Sequence, residues 1–102
     1  MKAALTEDQI KNLEEKGFSR WTKGDYDRLY INAGKLGLEC GYYNTGNIRS
    51  ASFDGESISN SRARRMKAAK TFVDVRTGRV YSDDDLLREA AADLVYDAVN
   101  EQ

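Results

Sequence analysis

The chain has 102 residues, 40% hydrophobic and 32% charged, which is the size and composition of one globular domain that buries a core without disulfides or metals. Sixteen basic and 17 acidic residues leave a net charge of −1, so neither a strongly basic nor a strongly acidic whole-chain signature is present. His is absent and Cys40 is the one cysteine, which excludes His catalysis, His metal sites, internal disulfides and thiolate clusters.

The first helix is well punctuated and is predicted over about 7–16. Thr6 and Gln9 have the spacing of a capping box, and Leu5 and Ile10 that of a hydrophobic staple. Gly17 suits the left-handed position after the helix, with Phe18 folding back on Leu13. Strands are predicted at 18–23 and 26–31, joined by Gly24-Asp25. In the second, Leu29 and Ile31 share one face, and Tyr26, Arg28 and Tyr30 share the other. Asn32 is a candidate cap for a short turn ending before Gly37. A third strand at 38–43 places Leu38, Cys40 and Tyr42 on one face, and a fourth at 48–53 ends at Asp54-Gly55. A helix at about 60–70 has Ser57 or Ser59 as its cap. A hairpin at 72–81 turns through Arg76-Thr77-Gly78. The last helix is predicted over about 83–99, with Ser82 as cap and Asp85 as its partner three residues on. The expected fold class is α+β: a mostly antiparallel sheet of four to six strands with helices packed on one face, in a single domain spanning 1–102.

Enzyme motifs are missing: there is no phosphate-binding GxxxxGK[ST] loop, no GxGxxG and no GxSxG. Cys40 has no His to activate it and reads as a small core residue. No catalytic residue, metal or cofactor is expected.

Two charged segments are candidates for binding. Residues 51–70 carry five basic and two acidic side chains, concentrated in RARRMKAAK. Ile58, Ala63, Met66 and Ala69 form the apolar arc of that helix; Arg62 falls inside the arc and must snorkel or pair. Arg64, Arg65 and Lys67 remain to meet a phosphate, and with Tyr26, Arg28 and Tyr30 they make a candidate nucleic-acid contact. Residues 82–102 carry seven acids against Arg88 alone. There Leu87, Ala90, Ala91, Leu94, Val95 and Ala98 form the expected buried stripe, with Asp85, Glu89, Asp93 and Asp97 beside it at i,i+4 spacing and Tyr96 among them. This acidic ladder is a solvated face, an internal partner for the basic helix, or a surface for a basic partner.

The run RWTKGDYDRLYINAGKLGLE, with YYNTGNI and FVDVRTGRVYS, resembles small accessory proteins carried by phages and mobile elements of Firmicutes, including those of anti-CRISPR type. The resemblance spans about 20–81 and brings no site residues with it. It implies a non-enzymatic inhibitor of a host defence complex. The expectation is therefore a binding protein that inhibits or modulates a macromolecular complex, possessing a basic surface, through the ladder residues Asp85, Glu89, Asp93, Tyr96 and Asp97 together with exposed strand aromatics. The alternative is a small nucleic-acid-binding module. No apolar run approaches the roughly 18 residues of a membrane span, no signal peptide opens the chain, and a cytoplasmic location without a membrane partner is expected.

Overall fold

Caps that lie within a few residues of one another decide where the first helix begins and ends. In the computed structural model, which describes residues 4–100, α1 spans Glu7–Glu15. Thr6 Oγ1 accepts from the Gln9 N–H at 3.2 Å, and Gln9 Oε1 accepts from the Thr6 N–H at 2.9 Å. At the other end Phe18 N–H reaches Leu13 O and Gly17 N–H reaches Glu14 O, both at 3.1 Å, with Gly17 at φ +113. These bonds satisfy carbonyls that the helix leaves open. Glu101, part of the acidic C-terminal stretch, lies outside the described residues.

The strands are β1 Ser19–Lys23, β2 Tyr26–Ile31, β3 Leu38–Tyr42, β4 Ile48–Phe53, β5 Glu56–Ser57, β6 Thr71–Asp74 and β7 Val80–Ser82. The fold is α+β, and every pairing is antiparallel. The strands divide between two sheets: a four-stranded one ordered β1-β2-β6-β7 and a three-stranded one ordered β3-β4-β5. The division begins after β2. A 3-10 turn at Ala33–Leu36 buries Ala33 and Leu36, and Gly37 at φ +113 turns the chain away. Gly37 O then accepts from the Asp54 N–H at 3.1 Å, tying the end of β4 to that corner. Asp54 and Gly55 both have positive φ, the requirement of a tight turn whose twist matches its strands, and this turn adds the short β5.

Helices α2 (Asn60–Ala68) and α3 (Asp85–Asn100) complete the molecule. Ser59 caps α2 by accepting from the Arg62 N–H, and α2 packs on β3 and β4. Its Ala63 and Met66 are fully buried. The inner face of the four-stranded sheet supplies Leu29, Ile31, Val73 and Thr71 to the core, against α1 and α3. The buried Thr71 hydroxyl meets Ser82 Oγ at 2.9 Å, so no polar atom of it is stranded.

The start of α3 differs from the sequence reading. Its cap is Asp84, not Ser82: Asp84 Oδ1 accepts from the N–H groups of Leu86 and Leu87 at 3.0 and 3.1 Å. Ser82 is drawn into β7 by its pairing with Thr71 and by the hydroxyl contact, so the helix begins two residues later. The buried stripe is also narrower. Leu87, Ala91, Val95 and Ala98 are buried, whereas Ala90 and Leu94 are only half-buried. The third strand departs too. A register shift between Gly41 and Tyr42 swings Tyr42 out of the face that holds Leu38, leaving Cys40 half-buried and both Tyr42 and Tyr43 exposed. Among the described residues no helix is long and apolar enough to cross a membrane.

Candidate binding surface

Strand alternation assigns Leu29 and Val73 to the core, and the residues on either side of each to the outer face of the four-stranded sheet. Register then decides which of these meet. Tyr30 pairs with Phe72 across β2 and β6, Phe72 pairs with Tyr81 across β6 and β7, and Trp21 pairs with Arg28 across β1 and β2. The rings form one row across the sheet. Trp21 meets Tyr30 edge-on at 6.3 Å between centroids, Tyr30 meets Phe72 at 6.0 Å, and Phe72 stacks on Tyr81 at 5.1 Å. Such contacts stabilise by about 0.5–1.5 kcal/mol each beyond their burial. Three of its rings are nevertheless open to solvent, Trp21 at 43%, Tyr30 at 36% and Tyr81 at 37%, around a half-buried Phe72.

Arginines are laid on the same face. The Arg28 guanidinium lies 4.8 Å from the Tyr26 ring and 4.7 Å from Phe72, and that of Arg79 lies 5.3 Å from Tyr81. Two shallow hollows of about 490 and 460 Å³ flank Phe72, and Lys70 lines both. On the inner side near the β1–β2 turn the chemistry is different. Arg20 donates to both carboxylate oxygens of Asp27, at 2.9 and 2.7 Å, and also reaches Glu7. Arg20, followed by Thr22, holds the Asp27 carboxyl below its usual range, against the opposing effect of burial. That cluster ties α1 to the sheet and is consumed by its own bonds.

The candidate nucleic-acid residues fall into two groups. Tyr26, Arg28 and Tyr30 sit on the sheet face just described. Arg64, Arg65 and Lys67 are exposed on α2, which packs on the other sheet. Lys67 Nζ donates to the Tyr42 hydroxyl at 2.8 Å and lies 4.7 Å from its ring centre, and this hydroxyl raises the Lys67 pKa. Among the described residues no hydrogen bond, ion pair or ring contact joins the two groups; Arg64 and Lys67 border a small hollow of their own, of about 270 Å³, with Tyr42, Asn47 and Ile48. Arg62 is paired with Asp84 at 3.4 Å, as its place inside the apolar arc requires.

The acidic ladder is exposed along its length. Asp85 accepts from Arg88 on the next turn; Glu89, Asp93 and Asp97 face solvent, and Tyr96 is 69% exposed. Among the described residues no ion pair joins these acids to Arg64, Arg65 or Lys67. With the stripe at Leu87, Ala91 and Val95, the ladder stands two residues away, about 160° around the helix, so it lies across α3 from the core and not beside the stripe. The N-terminal end of the ladder comes near the aromatic row: Asp85 holds Arg88, which lines one of the two hollows beside Phe72.

Trp21, Phe72, Tyr81 and Arg79 are the members of this candidate surface that sequence reasoning missed. The alternation of Phe72-Val73-Asp74-Val75 carried part of the signal, since it turns Phe72 outward when the valines turn in. Comparison with known proteins returns no match among family models, curated proteins or solved structures.

Proposed function

We propose that this chain is a non-enzymatic binding protein, acting in the cytoplasm, that modulates or inhibits a macromolecular complex by docking through the outer face of its four-stranded sheet. The observation that carries the reading is the row of exposed Trp21, Tyr30 and Tyr81 about the half-buried Phe72, with Arg28 and Arg79 laid on it. Trp, Tyr and Arg are the side chains that dominate binding energy at interfaces, because they present large rigid area at low entropic cost and keep polar tips for orientation. Here they are held in place by mutual contacts before any partner arrives, which lowers the ordering cost of association. The resemblance to phage accessory proteins supports a host complex as the target.

A second reading places a basic partner on the acidic ladder. It is favoured by the outward, unneutralised placement of Glu89, Asp93 and Asp97 beside the exposed Tyr96. One experiment separates the two. Photocrosslinking benzoylphenylalanine replaces Tyr30 in one protein and Glu89 in another, each expressed in cells that naturally carry the gene. Adducts from position 30 and none from position 89 support the sheet face. The reverse pattern assigns docking to the ladder and overturns the proposal.

A further inference from the structure

Resting on the reading of the sheet face as the docking surface, we infer that its occupant is a single-stranded nucleic acid, laid across the strands with bases stacked on Trp21, Tyr30 and Tyr81. Charge is the first argument. The cations on or beside this face are Lys23, Arg28, Lys70, Arg79 and Arg88, and of these Arg88 alone has a carboxylate partner, Asp85, among the described residues. Two of the acids nearby are engaged by backbone, Asp74 accepting from the Arg76 N–H at 2.8 Å and Asp83 from the Lys70 N–H at 3.2 Å, while Asp25 borders the face beside Tyr26. Away from this face Arg20 and Arg62 are neutralised by carboxylates, whereas Arg49, Arg64 and Arg65 have no carboxylate partner among the described residues either. This face therefore keeps its N–H donors for an anion brought from outside, whereas the acidic side of α3 repels that anion and orients the encounter.

Geometry is the second argument. Tyr81 stands beyond Phe72 in the row, and the adjacent rings that would take bases, Trp21 and Tyr30, have centres 6.3 Å apart. That exceeds the roughly 3.4 Å rise of stacked bases in a duplex strand, so the row suits bases splayed one to a ring, as single strands permit and duplexes do not. Aromatic stacking accepts any base, and Arg28 and Arg79, within 4.7 and 5.3 Å of the Phe72 and Tyr81 ring centres, are placed to meet phosphates beside them. A protein partner would need a surface that is both acidic and rich in planar groups; a single strand has both in every nucleotide.

The test uses the full chain and a fluorescein-labelled 12-nucleotide oligo(dT) or oligo(U), titrated at two salt concentrations, with Trp21 emission followed in parallel. Expected are rising anisotropy, quenching of Trp21, preference for the single strand over a duplex of equal length, and affinity that falls with salt. Trp21→Ala, Tyr30→Ala and Tyr81→Ala each weaken binding by about 5- to 150-fold, whereas Tyr30→Phe keeps it. Arg28→Gln and Arg79→Gln lower the salt slope by about 0.7 each, and Glu89→Gln does not weaken binding. Circular dichroism melts confirm that each variant folds. Absence of binding at low salt overturns the inference, as does binding that prefers the duplex or ignores the ring substitutions. If the oligonucleotide fails while position 30 still crosslinks to a protein, the docking face stands and this inference falls. If neither is seen, both fall.

Discussion

Replacing Glu89, Asp93 and Asp97 together by Gln, Asn and Asn should raise the stability of the protein. The ladder contains the i,i+4 like-charge pairs Asp85/Glu89, Glu89/Asp93 and Asp93/Asp97, and the triple substitution removes all of them. Each pair destabilises a helix by about 0.2–0.5 kcal/mol. Asp97 also stands near the C-terminal end of α3, where a negative charge opposes the helix dipole by about 0.3 kcal/mol or more. Against these gains no ion pair is lost, because none of the three acids has a cationic partner among the described residues. The helix propensities of the replacements are close to those of the originals. The sum is about 1 kcal/mol, which for a domain of this size moves the melting temperature upward by roughly 4–8 °C. The assay is a circular dichroism melt at low and high salt, with urea titrations alongside. The gain should shrink in high salt, because exposed repulsions are screened over a Debye length of about 10 Å at 0.1 M. A fall in melting temperature would mean that the ladder pairs with a cation on its own chain. A gain indifferent to salt would mean that its origin is not electrostatic.

Asp84→Ala should destabilise by about 1–2 kcal/mol, through the lost helix cap and the unpartnered Arg62; Asp84→Asn keeps the cap acceptor and should cost less than 1 kcal/mol. Equal losses in the two variants, measured by urea melts, would show that the cap bonds carry little. Leu87→Ala should cost about 2–5 kcal/mol, because Leu87 is fully buried, and Leu94→Ala distinctly less, because Leu94 is only half-buried; the ordering in denaturant titrations checks the narrowed stripe. Arg20 depresses the Asp27 carboxyl in the folded state, so its stabilisation is present above the ordinary carboxylate range and is lost as pH falls through that range to the lower folded value. Asp27→Asn should accordingly flatten the acid limb of a stability-against-pH curve, and an unchanged limb would refute the assignment.

Much of the local structure was legible in the chain because its determinants lie within a few residues. The capping box of Thr6 and Gln9, the left-handed Gly17 and the cap Ser59 are such cases, as is the Gly24-Asp25 turn. The outward placement of Tyr26, Arg28 and Tyr30 followed from the period of a strand with Leu29 and Ile31 inside. Even the pairing demand on Arg62 could be read from its position on the helix arc, though not the identity of Asp84 as its partner. The tertiary structure alone decided the rest. It placed β6 beside β2, so that Phe72 met Tyr30 across 41 intervening residues and joined Trp21 and Tyr81 in one row. It also moved the cap of α3 from Ser82 to Asp84, separated Arg64, Arg65 and Lys67 from the sheet aromatics, and set the acidic ladder across α3 from the core. The physical reason is common to these cases. A cap or turn is a bond between near neighbours in the chain, whereas strands pair through backbone groups that every residue possesses, and only the whole core determines which strand lies beside which.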